Sequence, residues 1–339
     1  MMGGVLRSDD QRVRGRLPID DLRHRVARAL AESRVLGGPP SSVEHVPNWG
    51  NFVHASFRVR CGGRDVVAKL AWERDAISGL ARWRALAPLL HERHRAPAML
   101  GWLALAGTEY EGPLLAWIEG ASPTARDDAL VRSTGALLDG LHADADLASR
   151  LRAPVGIATC RDVFLGTFDE RFRADLVIVE ASPPPFVSAR DLRWMREETE
   201  RLADAARRSE AFSDPADVPC HGDLWVENLI VGPGGALAVL DWDGLALGDP
   251  ALDWAAFLGP TRDHPVVARF ADVPDATRRA PRWRARFAHH ARAGLFDAAL
   301  DGLADWVDAD ALGAGAAAMR VRKRASVESA LAAYRATFA

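Results

Sequence analysis

Lysine and asparagine are nearly missing from this chain. Of 43 basic side chains in 339 residues, only Lys69 and Lys323 are lysine, and asparagine occurs only at positions 48, 51 and 228. Cysteine is scarce as well. Cys61, Cys160 and Cys220 are far apart, odd in number and without a CxxC, which argues against a disulfide framework or a zinc ribbon and for reduced, packed thiols. No uncharged apolar run approaches the roughly 18 residues of a membrane helix. The first residues carry Arg7, Arg12, Arg14 and Arg16 but no apolar signal core. The expectation is a cytoplasmic chain with no membrane partner, residues 1–17 forming a flexible arm. Neither sign of charge is in excess: the formal net charge is −3, without the strongly basic balance of a dedicated nucleic-acid binder.

What is present suits a soluble globular protein: 48% hydrophobic and 26% charged residues, in a chain long enough for two domains. The scarcities then become informative. Where a sequence biased so far toward arginine keeps a lysine, a compact point charge is the reason that arginine's planar fork does not supply. For Lys323, inside Arg320-Val-Arg322-Lys323-Arg324, a solvated basic face is the simpler expectation.

Patterning predicts a helix over 18–32, strands over 43–46, 52–60 and 66–71 with a hairpin turn at 61–65, a helix over 75–93, and strands over 98–106 and 113–118. On the third strand Val67 and Lys69 share a face. After a breaker at 119–123 the pattern turns helical, beginning with 127–142, which places a boundary near 118–122. The expected lobes are therefore 18–118 and 119–339. Residues 219–249 read as short strands and turns, and most of the remainder as helix, including 189–211.

The densest chemistry lies in His221-Gly222-Asp223-Leu224-Trp225-Val226-Glu227-Asn228, followed by two apolar runs around Gly232-Pro233-Gly234-Gly235 and ending at Asp241. Two apolar runs about a Gly/Pro turn predict a hairpin. It sets Asn228 and Asp241 opposite or nearly opposite at its open end, about 5 Å apart as cross-strand neighbours are. An amide oxygen and a carboxylate side by side are hard ligands suited to Mg²⁺. Asp223, on the entering loop, is then placed to act as a base or to orient a nucleophilic hydroxyl, as phosphoryl transfer requires. Lys69 would add a point charge on nucleotide phosphates. The turn at Asn48, Gly50 and Asn51 would lie over those phosphates, Gly50 allowing close backbone approach. There is no GxGxxG here, and Asn48 and Asn51 also read as simple turn formers.

The series His221-Gly-Asp223-(four residues)-Asn228, then Leu-Asp241-Trp242, then Gly248-Asp249-Pro250-Ala-Leu-Asp253-Trp254 resembles the aminoglycoside phosphotransferase / choline kinase family, relatives of protein kinases. Leu137 to His142 resembles the helix that family carries before its catalytic loop. The resemblance spans about residues 40 to 260. It implies an α+β, two-lobed, protein-kinase-like fold: a small antiparallel-sheet N-lobe and a larger, mainly helical C-lobe. It further implies ATP or GTP as donor, Mg²⁺, and a small-molecule hydroxyl acceptor. By family role Asp223 is the catalytic base, Asn228 and Asp241 are the metal ligands, Lys69 is the phosphate anchor, and Asp249 and Asp253 brace the loop. Residues 116–120, with Trp117, Ile118 and Glu119, are the hinge whose backbone meets the purine. The helix acid expected to pair with Lys69 is Glu73, with a helix-capping charge as its other reading. Gly222 replaces the arginine that protein kinases carry beside the catalytic Asp, which speaks against switching by a phosphorylated loop.

His91 and His94, and His289 with His290, read as solvated helix positions. The three cysteines and most tryptophans read as core. Asp297, Asp301 and Asp305 share one helix face and would suit a polycationic aminoglycoside, yet residues 262–286 carry seven arginines, and both stretches also read as solvated faces. The acceptor stays open between an aminoglycoside or other hydroxylated antibiotic and a metabolite alcohol. The alternative of a different class is a nucleotide-binding pseudokinase or regulator without transfer activity.

Overall fold

The computed structural model describes residues 17–33, 35–46, 54–124, 126–152, 158–259, 280–310 and 315–338. The chain divides into two compact units. The first holds residues up to 124 together with 227–245; the second holds 125–226 and 246 onward. The expected turn residues Asn48, Gly50 and Asn51 lie outside the described residues, as does most of the expected N-terminal arm.

The first unit is built on a five-stranded antiparallel sheet in the order β1-β2-β3-β5-β4. Its strands are β1 (Ser42–Val46), β2 (His54–Cys61), β3 (Arg64–Ala71), β4 (Met99–Ala104) and β5 (Glu111–Ala116). Gly62 and Gly63, both at positive φ, close the two-residue turn between β2 and β3, as a hairpin matching strand twist requires. Helix α1 (Ile19–Ser33) starts with Asp20 and Asp21 at its positive end. Its Leu22, Val26 and Leu30, spaced by four, are buried against Phe57, Val59, Ala68 and Leu70. Ala68 and Leu70 thus face α1, and strand alternation turns Val67 and Lys69 to the other face. Helix α2 (Arg74–His94) follows β3. The same unit includes the hairpin β7 (Leu229–Val231) and β8 (Leu237–Val239), turned at Pro233–Gly235 as the sequence predicts.

The second unit is mainly helical. It contains α3 (Asp128–His142), α4 (Ala145–Leu151), α5 (Cys160–Phe164), α6 (Glu170–Ala181), α7 (Ala189–Arg208), α8 (Pro250–Leu258), α9 (Pro281–Asp308) and α10 (Ala316–Phe338). A short strand pair joins β6 (Val218–Cys220) to β9 (Ala246–Gly248). Asp127 caps α3 by accepting from the Leu130 N–H at 2.8 Å. The core gathers Phe164, Phe168, Phe172, Met195, Leu202, Phe296 and Leu300.

Helix α9 is packed by α6, α8 and α10, which overturns three readings of its surroundings. His290 is buried and His289 is half-buried, not solvated; the His289 ring bonds the Leu202 carbonyl at 2.9 Å. Asp297 and Asp305 are buried as well, paired with Arg171 and Lys323 respectively. Lys323 is therefore a buried-acid partner rather than part of a solvated face. The sequence pattern misled because a helix covered on several sides must carry its charges inward, where each needs an opposite charge. His94 is also buried. All three cysteines are buried free thiols, as expected. Trp83, Trp242 and Trp254 are among the largest fully buried side chains.

Candidate active site

In the sheet unit the charged face of β3 carries Lys69, whose side chain is only 6% exposed. Its ammonium lies 3.0 Å from Asp241 and 3.2 Å from Asp243. Burial alone pushes a lysine toward neutrality, but the two carboxylates outweigh it and raise the Lys69 pKa, so the ammonium stays charged. Asp243 is pushed up by burial and pulled down more strongly by Lys69, so its carboxyl titrates below the ordinary range. From β2 the His54 ring stands 3.4 Å from Asp243, without hydrogen-bond geometry. Burial, reinforced by Lys69, lowers its pKa to about 4, so the ring is neutral near pH 7.

The hairpin delivers Asp241. Leu229 pairs with Val239, and the Leu240 N–H donates to the Asn228 carbonyl at 2.8 Å. Asn228 therefore faces Leu240, one residue short of Asp241. Asp241 adopts a left-handed backbone (φ 57°, ψ 58°), a conformation non-glycine residues rarely hold. This bend ends the strand and turns the carboxylate toward Lys69 while leaving it 41% exposed. Helix α2 clamps the loop that follows. Arg82 donates to the Leu245 carbonyl at 2.8 Å, and the Val239 N–H donates to the Arg95 carbonyl at 3.1 Å. Hard oxygen donors with one carboxylate still open to solvent suit Mg²⁺, and Asn228 and Asp241 are the residues here that would hold it.

The expected hinge is pinned to the same hairpin. Ala121 and Val231 exchange backbone hydrogen bonds at 3.2 and 3.0 Å, and the Ser122 hydroxyl donates to the Glu227 carbonyl at 3.3 Å. Within the hinge Trp117 is half-buried with the Arg58 guanidinium 4.2 Å over its ring, Ile118 is half-buried and Glu119 is exposed; the pinned Ala121 and Ser122 follow directly after it. The Trp117 N–H donates to the Asp65 carbonyl at 3.3 Å. Glu73 occupies the N-cap position of α2. Among the described residues the ion pairs of Lys69 are with Asp241 and Asp243. Asp243 and His54 are the two members that sequence reasoning did not single out. The available signal was Asp243 standing two residues after Asp241.

In the helical unit the loop bearing Asp223 is held by Asp253 on α8. One Asp253 oxygen accepts from the His221 N–H at 2.9 Å and lies 3.0 Å from the His142 ring; the other accepts from the Gly222 N–H at 2.9 Å. Gly222 takes φ 83°, letting the chain bend so that consecutive N–H groups meet one carboxylate. The buried His221 ring accepts from the Asp223 N–H at 3.3 Å and so helps to hold the loop. Asp223 itself is exposed. Asp249 serves elsewhere: it caps α8 through the Ala251 N–H at 3.0 Å and binds Arg286 and His290 on α9, each at 2.9 Å. Asp253 thus braces the loop directly, and Asp249 fastens the helix that carries Asp253.

Comparison with known proteins bears on this geometry. The model of the phosphotransferase enzyme family, APH, matches residues 45–306. The chain belongs to that phosphotransferase family. No curated protein matches it by sequence. Among solved structures, the phosphotransferase fold seen here resembles APH(2")-IIia in its complex with GDP and kanamycin (TM-score 0.57, 13% identity, 91% of this chain and 98% of that one). It also resembles a thermostable mutant of aminoglycoside phosphotransferase APH(4)-Ia in ternary complex with ADP and hygromycin B (TM-score 0.52, 17% identity, 90% and 98%). Choline kinase LicA from Streptococcus pneumoniae is a third (TM-score 0.54, 13% identity, 90% and 99%). The phosphotransferase chain therefore has the protein-kinase-like α+β fold, one unit on an antiparallel sheet and the other mainly helical. Among its described residues no helix is long and apolar enough to cross a membrane.

Proposed function

We propose that this phosphotransferase moves the γ-phosphate of ATP or GTP to a hydroxyl of a small molecule: an aminoglycoside, another hydroxylated antibiotic or a metabolite alcohol. The observation that carries this reading is the buried Lys69 ammonium beside the half-open Asp241 carboxylate. A charge of each sign, held in a protected place, is what a nucleotide phosphate and its cation need. Family membership and the nucleotide complexes among the similar folds support the donor class.

In this reading Lys69 grips the donor phosphates, and the backbone of Trp117, Ile118 and Glu119 meets the purine. Asn48, Gly50 and Asn51 cover the phosphates. Asn228 and Asp241 would hold Mg²⁺, which would offset the charge of the β and γ phosphates. Asp223 takes the proton of the acceptor hydroxyl as its oxygen bonds to the γ-phosphorus. The bond from that phosphorus to the β–γ bridging oxygen breaks, and its electron pair leaves with ADP or GDP. Positioning and charge neutralisation supply most of the acceleration.

The test is to incubate the protein with Mg-ATP or Mg-GTP and a panel of aminoglycosides, other hydroxylated antibiotics and metabolite alcohols. The expected result is a mass gain of one phosphate on an acceptor of the panel. Nucleotide binding without transfer to any acceptor would make the chain a nucleotide-binding regulator instead. Transfer to generic peptides but not to small alcohols would make it a protein kinase.

A further inference from the structure

The counter-ions of Lys69 are not the ones its neighbours in sequence suggest. The helix after β3 offers Glu73 at its N-cap position, Asp75 in its first turn and Glu92 near its end. None of these is an ion-pair partner of Lys69; among the described residues the partners are Asp241 and Asp243, both on the loop after β8. Asp241 is the proposed metal ligand, and a carboxylate drawn to a divalent ion has less charge left for an ammonium. Asp243 has no such second duty. One of its oxygens meets Lys69 at 3.2 Å, and the other faces the buried His54 ring at 3.4 Å. Toward Lys69 helix α2 contributes room rather than a carboxylate. Where it passes the loop it carries Gly79, and a Cβ there would stand 2.5 Å from the Asp243 carbonyl oxygen. The loop backbone thus sits directly against the helix.

We infer that Asp243 is the residue that positions Lys69 for the donor phosphates, in place of a carboxylate on helix α2, with the close approach of Gly79 fixing the Asp243 backbone. The inference rests on Lys69 being the phosphate anchor. Asp243 is then a resident counter-ion. It holds the buried ammonium in place whether or not Asp241 is engaged elsewhere.

A double-mutant cycle tests this. The variants are Asp243→Asn, Lys69→Met and their combination, each read by thermal melting without ligand and by binding of Mg-ATP and Mg-GTP. Asp243→Asn should weaken nucleotide binding about tenfold or more, and Asp243→Glu should restore part of it. In the Lys69→Met background, Asp243→Asn should add no further loss of binding and should raise the melting temperature, because it removes a half-buried carboxylate left without its counter-ion beside Asp241. Additive losses in binding and in melting would overturn the inference, as would wild-type affinity in Asp243→Asn. Should Asp243→Asn fail to fold, the double variant is expected to fold, and its failure would also overturn the inference. If the wild type binds neither nucleotide, the proposed function falls, while the melting cycle still reports on the Lys69–Asp243 pair.

Discussion

The two units use carboxylates in opposite ways. In the helical unit Asp253 and Asp249 are fully buried, and each is met by three donor groups from the backbone, histidine or arginine. Their hydrogen-bonding capacity is spent on holding the chain. In the sheet unit two carboxylates share one ammonium, and Asp241 remains 41% exposed. A saturated acid is a fastener, whereas an acid with spare lone pairs is available to a ligand. The distinction separates framework from chemistry in a chain with 46 acidic residues, where counting acids does not.

Asp223 puts the contrast to its hardest test, because it is an exposed acid on a loop fastened by a buried one. Asp223→Asn should lower transfer by about 10²–10⁴-fold, the usual worth of a positioned base, with nucleotide binding and melting nearly unchanged. Steady-state kinetics alongside calorimetry check this, and full activity would remove Asp223 from its role. Asp253→Ala should do the reverse, costing about 3–5 kcal/mol of stability as buried donors and His142 lose their acceptor. Chemical denaturation measures it, and a loss under about 1 kcal/mol would erase the division between fastener and ligand.

Smaller effects sharpen the picture. Gly112 on β5 lies against the Lys69 carbonyl so closely that a methyl group has no room. Gly112→Ala should cost about 1–3 kcal/mol by forcing β5 away from β3, with weaker nucleotide binding as Lys69 shifts. A change confined to stability would show that the strand spacing does not set the lysine. The smallest effect is on acid stability. Burial pushes the Asp249 and Asp253 carboxyls up, but the His290 contact on Asp249, the His142 contact on Asp253 and nearby N–H donors outweigh it. Both therefore titrate below the ordinary 3.8. Their stabilisation is complete above that value and is lost as pH falls below it through their own lower values. Circular dichroism should show an acid transition of the helical unit starting under about pH 4, shallower in Asp253→Asn.

Much of the fold was legible because its signals are local. The 3.6-residue spacing of Leu22, Val26 and Leu30 and the Gly62–Gly63 turn each sit in one short window. So does the hairpin carrying Asn228 toward Asp241. The partners of Lys69 are another matter. Proximity in the chain points to Glu73, but Asp243 is 174 residues away, and no periodicity connects charges that meet only through sheet and loop packing. Burial on α9 was hidden for a related reason. Arg286, His290, Asp297 and Asp305 look like a solvent-facing pattern until the helices that cover them are in place.

The sheet unit is discontinuous along the chain: its five-stranded sheet ends at residue 116, yet its hairpin lies in the segment 227–245. On a ribosome the β3 lysine therefore emerges long before either of its counter-charges is synthesised. A nascent chain released at residue 124 would have to bury an ammonium with no anion to meet it, so the strands reach their final state only after more than a hundred further residues have been made. Ribosome-stalled chains of increasing length should show protease resistance of β1–β5 rising sharply once residue 245 clears the exit tunnel.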